Sequence, residues 1–402
     1  MSGRVRIVIA LWVLSLVNYI DRVAISFAGP TIMSSLHISP AYFGLVLSSF
    51  GVGYILSLVP GGLIADRWGT RLVVLVTPLL WALFTGLTGF VTVVGSFVLV
   101  RFALGVSEGL FTPSIYKTIG DNFDHKQRSF ALAMCMSALA LGPALAGPLV
   151  GVLIGAFSWQ LAFAFLALPA VLAAVLGYLL LPPAAHHRFV SAPKDKVPFR
   201  TLLRYPSLWL LALSNFATDI AQWGFMGWMP SYLAMERGID LKTHGHIGSI
   251  PFIAGAVGLL VGGWLGTSAL SRYRPQLIVA AYVAAAVSLL IAYQASDLPL
   301  AVGGLSCATF FMYGALAPKG AVVIGAAPST GRAAFVSVYT VAGQIGGASA
   351  PAIIGFLVAQ TGTFAAGFGF MIAGLLVASV SILALLPMLK SQERAITMPA
   401  TA

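Results

Sequence analysis

A dozen apolar runs, each about 20 residues or longer and so able to cross a bilayer, follow one another along this chain with short polar breaks between them. They lie near residues 5–30, 41–65, 72–93, 95–120, 127–155, 159–182, 206–235, 246–268, 275–295, 298–325, 331–360 and 364–388. Backbone in hydrocarbon must satisfy its own N–H and C=O groups, so such runs are read as helices. Of the 402 residues, 59% are hydrophobic and only 8% are charged, against about 25% charged in a soluble domain. The first run is long enough to span and is read as a helix, not as a cleavable signal. The expected fold is therefore an all-α membrane protein with twelve transmembrane helices in two six-helix halves. The longest polar stretch separates an N-terminal bundle (1–182) from a C-terminal bundle with a short cytoplasmic tail (206–402), with residues 183–205 as a cytoplasmic linker. Two six-helix halves are a common construction among secondary transporters.

The basic residues orient the chain. With the N-terminus inside, sixteen of the 22 Lys and Arg fall in connections or ends on the cytoplasmic side, among them Arg67, Arg71, Arg128, Arg200, Arg272 and Arg332. The outer side receives only Arg237 and Lys242. That asymmetry places both termini in the cytoplasm, and the short connections suggest a bacterial inner membrane. It also explains the net charge of +11 without a nucleic-acid partner. Cys135 and Cys307 both lie in apolar runs, so neither a disulfide framework nor a zinc site is expected. The six histidines fall in connections and ends. No reactive constellation of catalytic side chains emerges, so an enzyme is not expected, nor a metal or another cofactor. No phosphate-binding loop of the G-x-x-x-x-G-K-[ST] type is present, which argues against a self-contained ATP-driven pump.

Charge inside the apolar runs is the main functional signal. Asp21 and Arg22 sit in the first run, Arg101 and Glu108 in the fourth. Ionisable groups at bilayer depth are costly and usually mark a partner or a solute path. On a helix, Asn18, Arg22 and Ser26 share one face, and Arg101, Gly105, Glu108 and Thr112 form one stripe. Arg22 suits a carboxylate, because its planar fork donates two parallel bonds and stays charged. Asp21 and Glu108 can carry protons, with Arg101 as a charge-pairing residue. The competing reading is that all four only hold helices together.

Other residues carry weaker signals. Tyr19, Tyr54, Gln222, Trp223 and Trp228 can bind hydroxyls or stack on a ring, or serve as helix packing and interfacial belt. Asp219 is a third intramembrane acid, with a role either in a cavity or in structural pairing. Lys117 and Lys319 are expected to snorkel toward the cytoplasmic ends of their helices. His244 and His246 are placed on an outer loop.

The segment GGLIADRWGTRLVV (61–74), between the second and third runs, resembles the signature loop of the major facilitator superfamily. Gly62 and Gly69 would permit a tight turn and close helix approach, Asp66 would accept from a helix N-terminus, and Arg67 and Arg71 would mark the cytoplasmic side. Together these five residues form a candidate gating loop. NYIDRVAISFAGP (18–30), RFALGVSEGLFTPSIYKTIGDNF (101–123), MGWMPSYL (226–233) and GQIGGASAP (343–351) further resemble the anion:cation symporters of that superfamily. The resemblance implies proton-coupled import of a sugar acid or related organic anion by alternating access, by a monomer in the lipid bilayer. It also implies a substrate contact at Thr340, where the family carries Asn; a family Arg is replaced by Gln160. Two other functions remain open. Proton-coupled efflux of amphipathic compounds would favour an aromatic pocket without a central arginine, and Arg22 argues against it. A membrane sensor or enzyme would call for an appended soluble domain or a catalytic constellation.

Overall fold

The computed structural model describes residues 3–182, 199–328 and 331–397. Most of the linker expected at 183–205 lies outside these residues. Every described element is helical. The first six helices are α1 (Gly3–Leu36), α2 (Pro40–Trp68), α3 (Thr70–Thr88), α4 (Val94–Asn122), α5 (His125–Ala156) and α6 (Trp159–Leu180). After a single turn, α7 (Phe199–Leu202), come α8 (Pro206–Met235), α9 (Leu241–Thr267), α10 (Arg274–Gln294), α11 (Leu298–Gly314), α12 (Leu316–Ala326), α13 (Arg332–Thr361) and α14 (Ala365–Thr397). A short 3-10 turn, Ala269–Tyr273, leads into α10.

Among the described residues, eleven segments are long and apolar enough to cross a membrane. The tenth expected run is one such segment, Leu298–Ala326, broken at Ala315 into α11 and α12. The seventh, α8, is 30 residues long but is not among the eleven. Its middle carries Ser214, Asn215, Thr218, Asp219 and Gln222, a polar content that suits a cavity wall better than lipid. Prolines stand inside ten of the long helices, including Pro30, Pro60, Pro113 and Pro351. Membrane helices tolerate this because neighbouring groups re-satisfy the freed carbonyls.

The chain resolves into two compact units. The first is built on α1–α6 and also takes in residues 225–253 and 351–367; the second holds 199–224, 254–328, 331–350 and 368–397. Within the first unit the principal helix pairs are α2 with α4, α1 with α5 and α3 with α6. Its apolar core gathers Leu11, Leu14, Val74, Trp81, Phe111 and Ile119.

The α2–α4 contact is a glycine seam. A Cβ on Gly53 would strike the Phe102 carbonyl, one on Gly105 the Phe50 carbonyl, and one on Gly61 the Leu110 backbone. Small residues let membrane helices approach to backbone contact, where dispersion and weak polar contacts hold them. The close approach thus belongs to Gly61. A Cβ on Gly62 would meet only Pro113 at 3.9 Å, an ordinary contact, so the expectation for Gly62 needs correction. Gly69 does make the turn: its φ of +80° lies in the region that side chains avoid, and its N–H closes on the Ala65 carbonyl at 3.1 Å.

Residues 225–253 and 351–367 belong to the first unit through specific contacts. Trp228 packs edge-on against Phe43, with centroids 5.7 Å apart, and donates from its indole to the Pro351 carbonyl at 2.9 Å. Ala352 N–H donates to Ser48 Oγ at 2.9 Å. Trp228 is therefore a packing residue. Gly147 of α5 and Gly245 of α9 also meet backbone to backbone, and Gly142 makes room for Tyr19. These contacts give the ALGPALAGP stretch (140–148) a packing role. His244 and His246, expected on a loop, instead lie in the first turns of α9, exposed, where the helix kinks at His244.

Candidate functional site

The middle of α1 carries the pattern Asn-Tyr-Ile-Asp-Arg at residues 18–22. Helical spacing stacks Asn18 directly beneath Arg22. On α4, Glu108 follows Arg101 by two turns on one stripe. The glycine seam brings α4 close against α2, which supplies Phe50 and Tyr54 to the same region. Asp21, Arg22, Arg101 and Glu108 are all buried, between 0% and 7% exposed.

The charges pair across helices, not along the chain. Arg22 donates from Nε and Nη2 to one oxygen of Glu108, at 3.1 and 2.8 Å. Its Nη2 also donates to Asn18 Oδ1 at 3.3 Å. Three rings surround the guanidinium: Tyr19 at 4.9 Å, Tyr54 at 4.8 Å and Phe50 at 5.1 Å. Such cation–π contacts offset part of the desolvation of the charge. Tyr54 is itself fixed by Thr112, hydroxyl to hydroxyl at 2.9 Å.

Asp21 and Arg101 are buried with fewer bonds. Neither Asp21 oxygen has a hydrogen bond, and the acid faces Arg101, Glu108 and Thr85. Arg101 Nε and Nη1 likewise have no partner, and its guanidinium lies 5.1 Å from the Phe50 ring. Phe50 thus touches both guanidiniums. The second Glu108 oxygen, Oε1, is also unbonded. Buried charges that are not bonded carry a high desolvation cost, which the fold bears at Asp21, Arg101 and the second Glu108 oxygen. With all four groups charged it is neutral. Each proton gained by Asp21 or Glu108 leaves one positive charge in excess, which an anion would balance.

The second unit holds its own polar cluster. Lys319, on α12, is 3% exposed and donates to Asn215 Oδ1 of α8 at 2.9 Å. Asn215 Nδ2 donates in turn to the Tyr339 carbonyl at 3.2 Å. Tyr282, Tyr339 and Asp219 face the ammonium. Gly343 admits this cluster, since a Cβ there would collide with Asn215 and Asp219. Lys319 therefore does not snorkel: it is turned inward and buried. One turn further along α8 and α13, Trp223 lies against Gly347 and Gln222 is buried. Thr340 is exposed and donates to the Val336 carbonyl of its own helix at 2.8 Å.

The loop at 61–74 is organised differently from the sequence expectation. Asp66 caps no helix; α3 starts from Gly69 without a side-chain cap. Asp66 instead pairs with Lys117 of α4 at 3.0 Å, and Lys117 also reaches Asp121 at 3.6 Å. Lys117 is thus tied into a network, not simply extended toward water. Arg71 donates to the Tyr178 carbonyl at 2.8 Å and lies 4.2 Å from the Tyr178 ring, joining α3 to α6. Arg67 is exposed.

In the first unit, then, the structure brings together Tyr19, Asp21, Arg22, Tyr54, Arg101 and Glu108, with Phe50 and Thr85 as members that sequence reasoning missed. Gln222, Trp223 and Thr340 belong to the second unit, whose centre is Lys319, Asn215, Tyr282 and Tyr339. The polar residues at helical spacing on α8, Asn215 with Asp219 and Gln222, were the available signal for that centre. No group of three or more His, Cys, Asp or Glu among the described residues could hold a metal ion.

Comparison with known proteins agrees with this architecture. The "Hexuronate transporter" of Bacillus subtilis is 28% identical over 383 residues, covering 91% of each chain. The "Probable L-galactonate transporter" of Escherichia coli is 29% identical over 375 residues, 88% of this chain and 83% of that one. A bacterial homologue of the human lysosomal transporter Spinster superposes with a TM-score of 0.80 over 97% of both chains at 18% identity, a likeness of fold. The profile of the Major Facilitator Superfamily matches residues 11–319 and 211–398. A helical membrane chain that buries charge in each of two units, and that this profile matches nearly from end to end, belongs to the Major Facilitator Superfamily and is a transporter, not an enzyme.

Proposed function

We propose that this protein imports a small organic anion, a sugar acid or related carboxylate, together with protons, by alternating access of two six-helix halves. The observation that carries the reading is the buried Arg22–Glu108 pair, with Asp21 and Arg101 beside it. Arg22 is the carboxylate-binding residue. A substrate carboxylate competes with Glu108 for the same fork of donors. Once displaced, Glu108 loses the cation that stabilised its charge and takes a proton more readily. Asp21, beside Arg101, is the second proton carrier. Tyr19 and Tyr54 line the guanidinium and offer hydroxyls to a sugar acid; Gln222, Trp223 and Thr340 are the contacts assigned to the second half. The named relatives support the substrate class, since their printed names give a hexuronate and L-galactonate. The distribution of Lys and Arg supports an inner-membrane protein with both termini in the cytoplasm. The protein works as a monomer, without a cofactor.

The test is uptake of labelled hexuronate and galactonate into proteoliposomes holding the purified chain. Acid outside should drive accumulation, and a protonophore should abolish it. If two protons enter with a monoanion, an inside-negative potential adds about 2.3 kcal/mol per 100 mV for the net charge moved. Uptake that ignores the pH gradient would remove proton coupling; no uptake of any carboxylate would remove the anion reading.

A further inference from the structure

The four charges of the first unit leave Lys319 unexplained. Its ammonium is 3% exposed and sits among neutral groups: the Asn215 amide oxygen at 2.9 Å and the hydroxyl-bearing rings of Tyr282 and Tyr339. Among the described residues no carboxylate lies within the 4.0 Å ion-pair distance of this nitrogen. Asp219 faces it from α8 without reaching it, and turns Oδ2 toward the gap that Gly343 leaves on α13. An ammonium has three donors, and burial without a directly bonded counter-ion is costly. A lysine that served only to tie α12 to α8 would be expected to close on Asp219. Here the acid stands off and the amide holds the cation in place. That arrangement keeps a positive charge dry and oriented, held by the Asn215 oxygen with the Tyr282 and Tyr339 side chains beside it and no carboxylate among the described residues bonded to it directly.

We propose that Lys319 recognises an anionic group of the transported solute, so that the chain favours dicarboxylates over monocarboxylates of the same carbon skeleton. This rests on the organic-anion reading above and adds to it the number of acidic groups. Asn215 is the positioning residue, because its Oδ1 aims the ammonium while its Nδ2 is anchored on the Tyr339 carbonyl. Asp219 acts against the incoming anion by like-charge repulsion.

Galactarate and galactonate make the discriminating probe pair, six-carbon acids with two carboxylates and one. Binding of each is measured by thermal stabilisation and by labelled-ligand titration of the purified full-length protein. Wild type is expected to bind galactarate more tightly. Lys319→Gln should weaken galactarate about tenfold or more, the range for a lost charged hydrogen bond, and galactonate less than about threefold. Lys319→Arg should keep most of the galactarate affinity. Asp219→Asn should tighten galactarate, an effect of opposite sign that a merely structural role would not produce. Equal weakening of both acids by Lys319→Gln, or no weakening of either, overturns the proposal. Should Lys319→Gln fail to fold, Asp219→Asn decides alone, and weaker or unchanged galactarate binding overturns it. A wild type that prefers galactonate overturns this proposal and leaves the organic-anion reading standing. A wild type that binds neither acid, nor any other carboxylate, overturns both.

Discussion

In the first unit a guanidinium meets a carboxylate directly: Arg22 gives two bonds to a single oxygen of Glu108. In the second, Lys319 is held by an amide, and Asp219 stays outside ion-pair range. The two arrangements suit different tasks. A direct pair stores its own counter-ion, so an arriving anion must displace the acid, and the displaced acid then becomes protonatable. In the proposed transport cycle, that exchange would couple anion binding to proton uptake. A cation held by neutral groups has nothing to displace; it can select for charge but does not by itself exchange a proton. On the two proposals above, the first unit would supply proton coupling together with carboxylate binding, and the second would add recognition of a further anionic group.

The largest expected effect breaks the direct pair. Arg22→Lys keeps the charge and loses the fork that gives Glu108 both bonds. Replacing one side of a buried charge pair costs about 2–5 kcal/mol in favourable cases, so substrate affinity should fall at least about thirtyfold. The protein should still insert and give a monodisperse peak in detergent. Near-normal affinity in a binding titration would make Arg22 a structural partner and erase the contrast between the units.

Next come the acids. Glu108→Gln and Asp21→Asn hold each side chain in a neutral form. Both should suppress pH-driven accumulation more than counterflow of labelled substrate, because exchange need not release the proton. Their stabilities should differ. Glu108→Gln leaves Arg22 buried with its main partner neutralised and should lower the melting temperature. Asp21 has no hydrogen bond to lose, so Asp21→Asn should be neutral or stabilising. Counterflow lost as completely as uptake in both variants would mean that the acids only hold the site together.

Smaller effects sharpen the packing side of the comparison. Gly105→Ala forces a methyl onto the Phe50 carbonyl and should cost about 1–3 kcal/mol, the usual range for overpacking. It should also weaken substrate binding, because Phe50 touches both guanidiniums. Gly62→Ala, with only an ordinary contact to Pro113, should be close to neutral by thermal melting. The smallest effect is expected at Lys117. Its pairs with Asp66 and Asp121 are partly exposed, and such pairs contribute about 1 kcal/mol or less. Lys117→Ala should leave substrate affinity unchanged in a binding titration.

The membrane helices were legible because their length and apolarity are set by the bilayer, an external ruler that acts on each run by itself. Eleven of the twelve runs were found as single long helices; the tenth run proved broken at Ala315, and α8, one of the eleven and at its expected bounds, is less apolar than the others. The glycines at 61–69 were visible as a turn, but which of them bears the helix contact was not. Gly61 and Gly62 differ by about 100° around the helix axis, and only the neighbour's position distinguishes them.

Asp21, Arg22, Arg101 and Glu108 announced themselves from sequence, because charge in an oily run is costly wherever it sits. Their partners did not. Sequence neighbours Asp21 and Arg22 point to different faces of α1, since adjacent residues on a helix diverge. Arg22 finds Glu108 on another helix, 86 positions away. Lys319 is the sharpest case. A lysine near the end of an apolar run reads equally well as snorkelling or as buried, and the choice depends on whether α8 offers it Asn215. Sequence alone determined that this chain crosses a membrane many times and carries charge inside it, because those are one-body costs of each segment in hydrocarbon. Which charges pair, which stay open, and which lysine turns inward were decided by tertiary structure, because these are two-body terms that depend on distances between helices far apart in the chain.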